Sequence, residues 1–252
     1  MRALFAGPGA CRALVDGARG HVELVLGGGG AYVRFGLSDW ILLSAPGAPF
    51  GPLSVPLDGL DRLSLRPRTP AEVARGRLLV GGSAVSLERM RERVCSVAVG
   101  VRSDVACVSL PPPPVPLAAG VSALADGRSA RGAQLLAGLG EGLTPAGDDV
   151  LAGYAGARLA LGAPVALSRV AAGRSSPLGL AYLRCAERGE LPDVAARLLA
   201  AMCRGRVKEA ASVVPLLRSW GSSSGMALGW GINAAVACIT RHSTRPLATV
   251  PS

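Results

Sequence analysis

Four consecutive prolines, Pro111–Pro114, constrain this 252-residue chain more than any other feature. They remove four backbone donors in a row and favour an extended polyproline segment, so neither a helix nor a central strand can run through them. Before the prolines, short β-rich runs dominate: His21–Leu26, Ala31–Phe35, Asp39–Ser44, Arg77–Val80, Ala84–Leu87, Cys95–Arg102 and Val105–Leu110. Gly27–Gly30 separates the first two as a hairpin turn or a glycine-distorted strand pair, and nothing helical follows it that would make it a dinucleotide fingerprint. Ala45–Pro56 reads as a Pro/Gly loop and Glu88–Arg93 as a charged helical turn. No long helices alternate with these strands, which excludes a doubly wound sheet and predicts an antiparallel barrel or sandwich.

After the prolines the pattern is helical: Arg131–Leu139, Thr144–Leu161, Pro177–Arg188, Asp193–Cys203, Glu209–Trp220 and Ser224–Thr240. The expected fold is therefore α+β. A β-rich domain spans 1–110, a Pro-rich linker 111–116, and a helical domain 117–252. Several of the helices carry Gly and Ala on every face, as helices central in a bundle do.

Chemistry concentrates in Gly138–Gly162, GLGEGLTPAGDDVLAGYAGARLALG. Thr144 suits an N-cap and Pro145 the first helical position, while Gly162 suits the left-handed C-cap residue. A glycine loop feeding a helix start offers N–H groups and a positive dipole end to an anion. Asp148 and Asp149 follow at once, and paired carboxylates suit a proton or a hard cation such as Mg²⁺. On this reading Gly140, Gly142, Thr144 and Gly147 bind an anion, and Asp148 and Asp149 act catalytically or as metal ligands. Asp148, nearer the loop, is expected to matter more. The alternative is purely structural: the glycines turn, Thr144 caps, and the acids offset the dipole.

Gly142-x-Thr144-x-x-Gly147, with Gly153 six residues on, has a partial echo in Gly221-Ser222-Ser223-Ser224-Gly225, with Gly231 six residues on. Asp148 and Asp149 correspond there to Met226 and Ala227. Either helix starts have few sequence solutions, or two helix N-termini converge on one anion, with Ser222, Ser223 and Ser224 completing the site.

Composition removes several function classes. The net charge is +10, but Lys208 is the only lysine, the arginines are scattered, and no aromatics interleave with them for base stacking. Nucleic-acid binding is thus the least favoured class, and the arginines suit an anionic small molecule equally. Six cysteines without a CxxC pair, and no secretory signal, predict a reduced cytoplasmic protein. His21 and His242, the two histidines, are too few for a His-rich zinc site. Ser219–Thr240 is the longest uncharged window; its serines, asparagine and glycines predict a buried helix, with no membrane span.

GLGEGLTPAGDDVLAG resembles the GxGxGLTPSGDDxLxG signature of an uncharacterised bacterial domain family that includes AllH, a subunit of oxamate carbamoyltransferase from anaerobic allantoin degradation. The likeness extends to a serine segment, Arg174-Ser175-Ser176, before a helix ending AERGE at Glu190, and to a late SSG loop before an apolar helix. Ala146 stands where the family usually has Ser, and Ala227 where it often has an acid. The resemblance implies carbamoyl or phosphate chemistry, carbamoyl phosphate as ligand, and association with other enzyme subunits.

Three readings follow. The first is a subunit of a carbamoyltransferase-type system in purine catabolism, binding a small anionic substrate. The second is a non-catalytic partner subunit or degenerate paralogue, to which the two departures point. The third is the nucleic-acid-binding module. An Ala-rich chain with few aromatics must bury wide helix faces, which predicts an oligomer, homomeric or with partner chains.

Overall fold

The computed structural model describes residues 1–95 and 105–243, the side chains of 242 and 243 excepted. The chain divides into two compact units, Met1–Ser96 with Glu190–Asp193, and Val97–Gly189 with Val194–Ser252.

The first unit is a closed barrel. Its elements are β1 (Arg2–Ala3), β2 (Phe5–Ala6), α1 (Pro8–Ala13), β3 (Arg19–Val25), β4 (Ala31–Phe35), β5 (Asp39–Ser44), β6 (Ser54–Asp58), β7 (Pro70–Ala74), β8 (Arg77–Val80), β9 (Ser83–Ser86) and β10 (Arg91–Glu92). Around the barrel the order is β1-β6-β5-β4-β3-β7-β8-β9, while β10 pairs with β2 in a separate ribbon. Closure removes the edges of this eight-stranded sheet. Side chains alternate in and out with period 2, so Val33 and Phe35, Ile41 and Leu43, Val55 and Leu57, and Leu78 and Val80 fill the interior.

The expected barrel is thus present, with a refinement. Most pairs are antiparallel, but β5–β6 and β1–β9 are parallel. The Pro/Gly loop after β5 is the crossover that parallel pairing demands. It ends in a turn closed twice, by Ser54 N–H to the Gly51 carbonyl at 3.0 Å and by Gly51 N–H to Ser54 Oγ at 2.9 Å. The Gly27–Gly30 run is the β3–β4 hairpin turn, where Leu26 N–H donates to the Gly30 carbonyl at 2.7 Å and Gly29 has φ +81°. Residues 88–93 hold strand β10 in place of a helical turn, and Val105–Leu110 is irregular rather than a strand. The strand expected over Cys95–Arg102 lies, beyond Cys95, outside the described residues.

The second unit holds α2 (Val115–Ala125), α3 (Ser129–Leu136), α4 (Ala146–Ala160), α5 (Ser168–Ala171), α6 (Pro177–Ala186), α7 (Asp193–Cys203), α8 (Val207–Arg218) and α9 (Ser224–Ser243). Twelve of the fifteen residues of α4 are buried. Its C-terminus is the expected glycine cap: Gly162 has φ +77°, its N–H donates to Leu159 at 3.0 Å, and Ala163 N–H donates to Arg158 at 2.8 Å. The N-terminus departs from expectation. Pro145 rather than Thr144 precedes the first helical residue, and no side chain caps it.

Helices α4 and α9 pack as a pseudo-twofold pair. A Cβ added to Gly153 would land on the Leu228 carbonyl oxygen, and one added to Gly231 would land on that of Val150. Both members of each correspondence are 78 positions apart in the chain, Gly153 with Gly231 and Val150 with Leu228. The preceding loops repeat the relation. Gly147 N–H donates to Leu139 at 2.8 Å and Gly225 N–H to Trp220 at 3.0 Å, while added Cβ atoms would strike Leu136 and Leu217. The echo in the sequence is therefore a repeated helix–loop–helix, its second loop three residues shorter. The tight crossing predicts that Gly153→Ala destabilises the protein. Ala has the higher helix propensity by about 1 kcal/mol, but forcing two backbones apart costs roughly 1–3 kcal/mol. A lowered urea midpoint, matched by Gly231→Ala, is the expected result; a raised midpoint would refute backbone contact there.

Candidate functional site

Asp148 sits in the first turn of α4, is 1% exposed, and is surrounded by donors. Gly138 N–H reaches its Oδ1 at 2.8 Å and Ser175 Oγ the same oxygen at 2.7 Å. Ser176 N–H reaches Oδ2 at 3.1 Å, with the Ser176 hydroxyl at 3.5 Å. Gly138 can present its N–H this way because it has φ +73°, and a Cβ there would strike the Arg174 carbonyl. Ser176 also caps α6 by accepting from Gly179 N–H at 2.9 Å and donates to the Leu143 carbonyl at 2.5 Å. Asp148 thus clamps the segment after α3 and the start of α6 to the start of α4.

Asp149 is the contrast. It is 5% exposed, and its Oδ2 is buried without a hydrogen-bond partner. Burial raises its pKa from the usual carboxylate range to about 7; hydrogen bonding from Ser224 pulls it down, and the neighbouring Asp148 charge pushes it up. Near neutrality it therefore exchanges a proton.

Ser224, the first residue of α9, lies 3.3 Å by its Oγ from Thr144 Oγ1. The structure accordingly brings together Thr144, Asp149 and Ser224, from the two loops that the sequence echo singles out. The repeat explains the division of labour. At the same offset of 78, Ser224 corresponds to Ala146 and Asp149 to Ala227, so one half contributes the acid and the other the hydroxyl.

The other expected residues are placed less centrally. Gly147 spends its N–H on Leu139, and the N–H groups of Asp148 and Asp149 donate to Pro145 at 2.9 and 3.2 Å. Gly140 and Gly142 shape the loop, with φ +121° and +89°. Ser222 and Ser223 are exposed in the turn before α9. Ser175 and Ser176 are not among the residues expected from the sequence to form the site. Their signal was the Ser-Pro helix start at Ser176-Pro177, which marks a cap but not a carboxylate partner.

A cation does not fit the acid pair well. The Asp148 oxygens already accept from three protein donors, Gly138 N–H, the Ser175 hydroxyl and Ser176 N–H, and the described residues contain no group of three His, Cys, Asp or Glu placed to hold a metal ion. The arrangement is instead suited to proton transfer: a buried carboxyl near its midpoint, facing a hydroxyl at a helix start.

None of the six cysteines, all of them among the described residues, forms a disulfide. Among the described residues, no helix is long and apolar enough to cross a membrane. No curated protein and no solved structure matches the chain. Residues 136–236 match the family model described as oxamate carbamoyltransferase subunit AllH. That span takes in the glycine loop, both acids, Ser175, Ser176 and the start of α9, and over it the chain is similar to the AllH family.

Proposed function

We propose that this protein is a subunit of a carbamoyl-transferring enzyme and binds a small anionic substrate where α4 and α9 begin. The supporting observation is the Thr144–Ser224 hydroxyl contact at 3.3 Å beside Asp149, whose carboxyl interacts with Ser224 and keeps one buried oxygen without a partner. Hydroxyls of Thr144 and Ser224, with loop N–H groups around Gly140, Gly142, Ser222 and Ser223, hold the anion. Asp149 moves the proton, being uncharged often enough near neutrality to admit an anion beside it. Asp148 holds the loop in place. Partner subunits follow from the family's description as one subunit of an enzyme, and the Pro111–Pro114 run is the proposed linker between the barrel and the helices. No nucleic acid, membrane or Mg²⁺ enters this reading.

The test is calorimetric titration of the full chain with carbamoyl phosphate and with oxamate. Thr144→Val keeps the shape and removes one hydroxyl, so binding of the occupant should weaken about tenfold, the value of one hydrogen bond of ~1–1.5 kcal/mol. No binding of either compound by the wild type, or equal binding by the variant, would refute the reading.

A further inference from the structure

We propose that Ser224 is a covalent carbamoyl acceptor, with Asp149 as its base. This inference rests on the site reading above and adds a reaction intermediate to it. Three observations carry it. Ser224 Oγ stands at the start of the 20-residue helix α9, hydrogen-bonded to Thr144 at 3.3 Å and facing the Asp149 carboxyl. Asp149 is enclosed by protein, yet one of its oxygens has no donor, an arrangement that costs free energy unless a proton or reactant completes it. The pseudo-twofold repeat supplies the hydroxyl and the acid from opposite halves, at positions where each half's counterpart is alanine. A merely structural pair would need no such complementarity. Asp148, by comparison, has every oxygen engaged and no spare capacity to take a proton.

The step balances within the site. Ser224 Oγ attacks the carbonyl carbon of a carbamoyl donor such as carbamoyl phosphate. A C–O bond to serine forms, the C–O bond to phosphate breaks and leaves with its electron pair, and the hydroxyl proton passes to Asp149. The product is O-carbamoyl Ser224. In the return step an acceptor nitrogen attacks the same carbon, Asp149 returns its first proton to the departing serine oxygen, and the proton lost by the nitrogen passes to Asp149 and from there to the released phosphate or solvent, which restores the base. A base with its midpoint near the working pH suits both directions. A hydroxyl next to such a base is the usual form of an activated nucleophile.

The test is incubation of the full chain with carbamoyl phosphate, followed by mass spectrometry of the tryptic peptide Ser219–Arg241, which carries Ser224 and excludes Lys208, the one lysine. The expected result is a single carbamoyl group on Ser224, appearing on the order of 100-fold more slowly in Asp149→Asn, as for loss of a general base. Ser224→Ala should lose the label, and Ser224→Cys should regain it on sulfur, which shows that the site is folded in both. Carbamoyl phosphate that binds the wild type, and binds Thr144→Val more weakly, while leaving Ser224 unlabelled overturns the covalent step and leaves the proposed function standing. Labelling undiminished in Asp149→Asn removes Asp149 as the base and also overturns the inference. Absence of binding altogether removes both readings.

Discussion

Replacing Asp148 by Ala should destabilise the helical unit more than any other single change in the glycine loop. The substitution strands the N–H groups of Gly138 and Ser176, whose acceptor among the described residues is the Asp148 carboxylate, in a site that is 1% exposed. Each orphaned buried N–H costs about 1–3 kcal/mol, so the loss is roughly 2–6 kcal/mol. That is a large part of the ~5–15 kcal/mol by which domains are stable. The serine hydroxyls can rotate toward other acceptors and add less. Asp148→Asn keeps one acceptor oxygen but turns an NH₂ toward a donor, so it should cost less than Ala and more than a surface change. Urea unfolding followed by helical circular dichroism measures both. A loss below about 0.5 kcal/mol, the size of an ordinary surface substitution, would show that Asp148 is not the clamp.

Asp149→Asn should act in the opposite sense, and only at the higher pH. In the unfolded chain this carboxyl titrates at the ordinary 3.8, and in the folded protein at about 7. Between these values the folded state holds a proton that the unfolded state has lost, so stability falls as pH rises. The contribution of the protonated form is complete below the lower value and gone above the upper. Three pK units correspond to on the order of 4 kcal/mol. The charged neighbour behind this shift is Asp148, on the same helix, while Ser224 opposes it. Relative to Asp149→Asn, the wild type should therefore lose several kcal/mol between pH 4 and pH 8. Parallel stability profiles for the two proteins would mean that Asp149 ionises freely in the fold.

Much of the architecture was legible because it rests on local rules. Period-2 alternation in Ala31–Phe35 and Asp39–Ser44, and helical spacing in Asp193–Cys203, identify strand and helix from short windows. The short helices α1, α5 and the Pro-led α2 escaped, since turns of four to eleven small residues carry little periodic signal. Parallel closure of the barrel was also hidden, because the partner of Leu42–Ser44 is Ser54–Pro56, chosen by three-dimensional return of the chain rather than by sequence adjacency.

In the candidate site the residue types were legible and their roles were not. A helix start followed by two acids gives Asp148 and Asp149 equal claims, and proximity to the loop favours Asp148. What separates them is the long-range approach of Ser175 and Ser176 to the first and of Ser224 to the second. The same holds for Thr144, whose side chain is a natural cap in sequence terms but faces Ser224 across the pair of loops. Local capping rules cannot register a partner eighty residues away.

In the proposed site Asp149 exchanges a proton at the place where substrate binds, and carbon NMR of the side-chain carboxyls measures this directly. The Asp149 resonance, assigned by its loss in Asp149→Asn, should titrate with a midpoint of about 7 in the free protein. Added carbamoyl phosphate should move that midpoint in the wild type and much less in Thr144→Val. A midpoint near 3.8, unmoved by the ligand, would contradict the account.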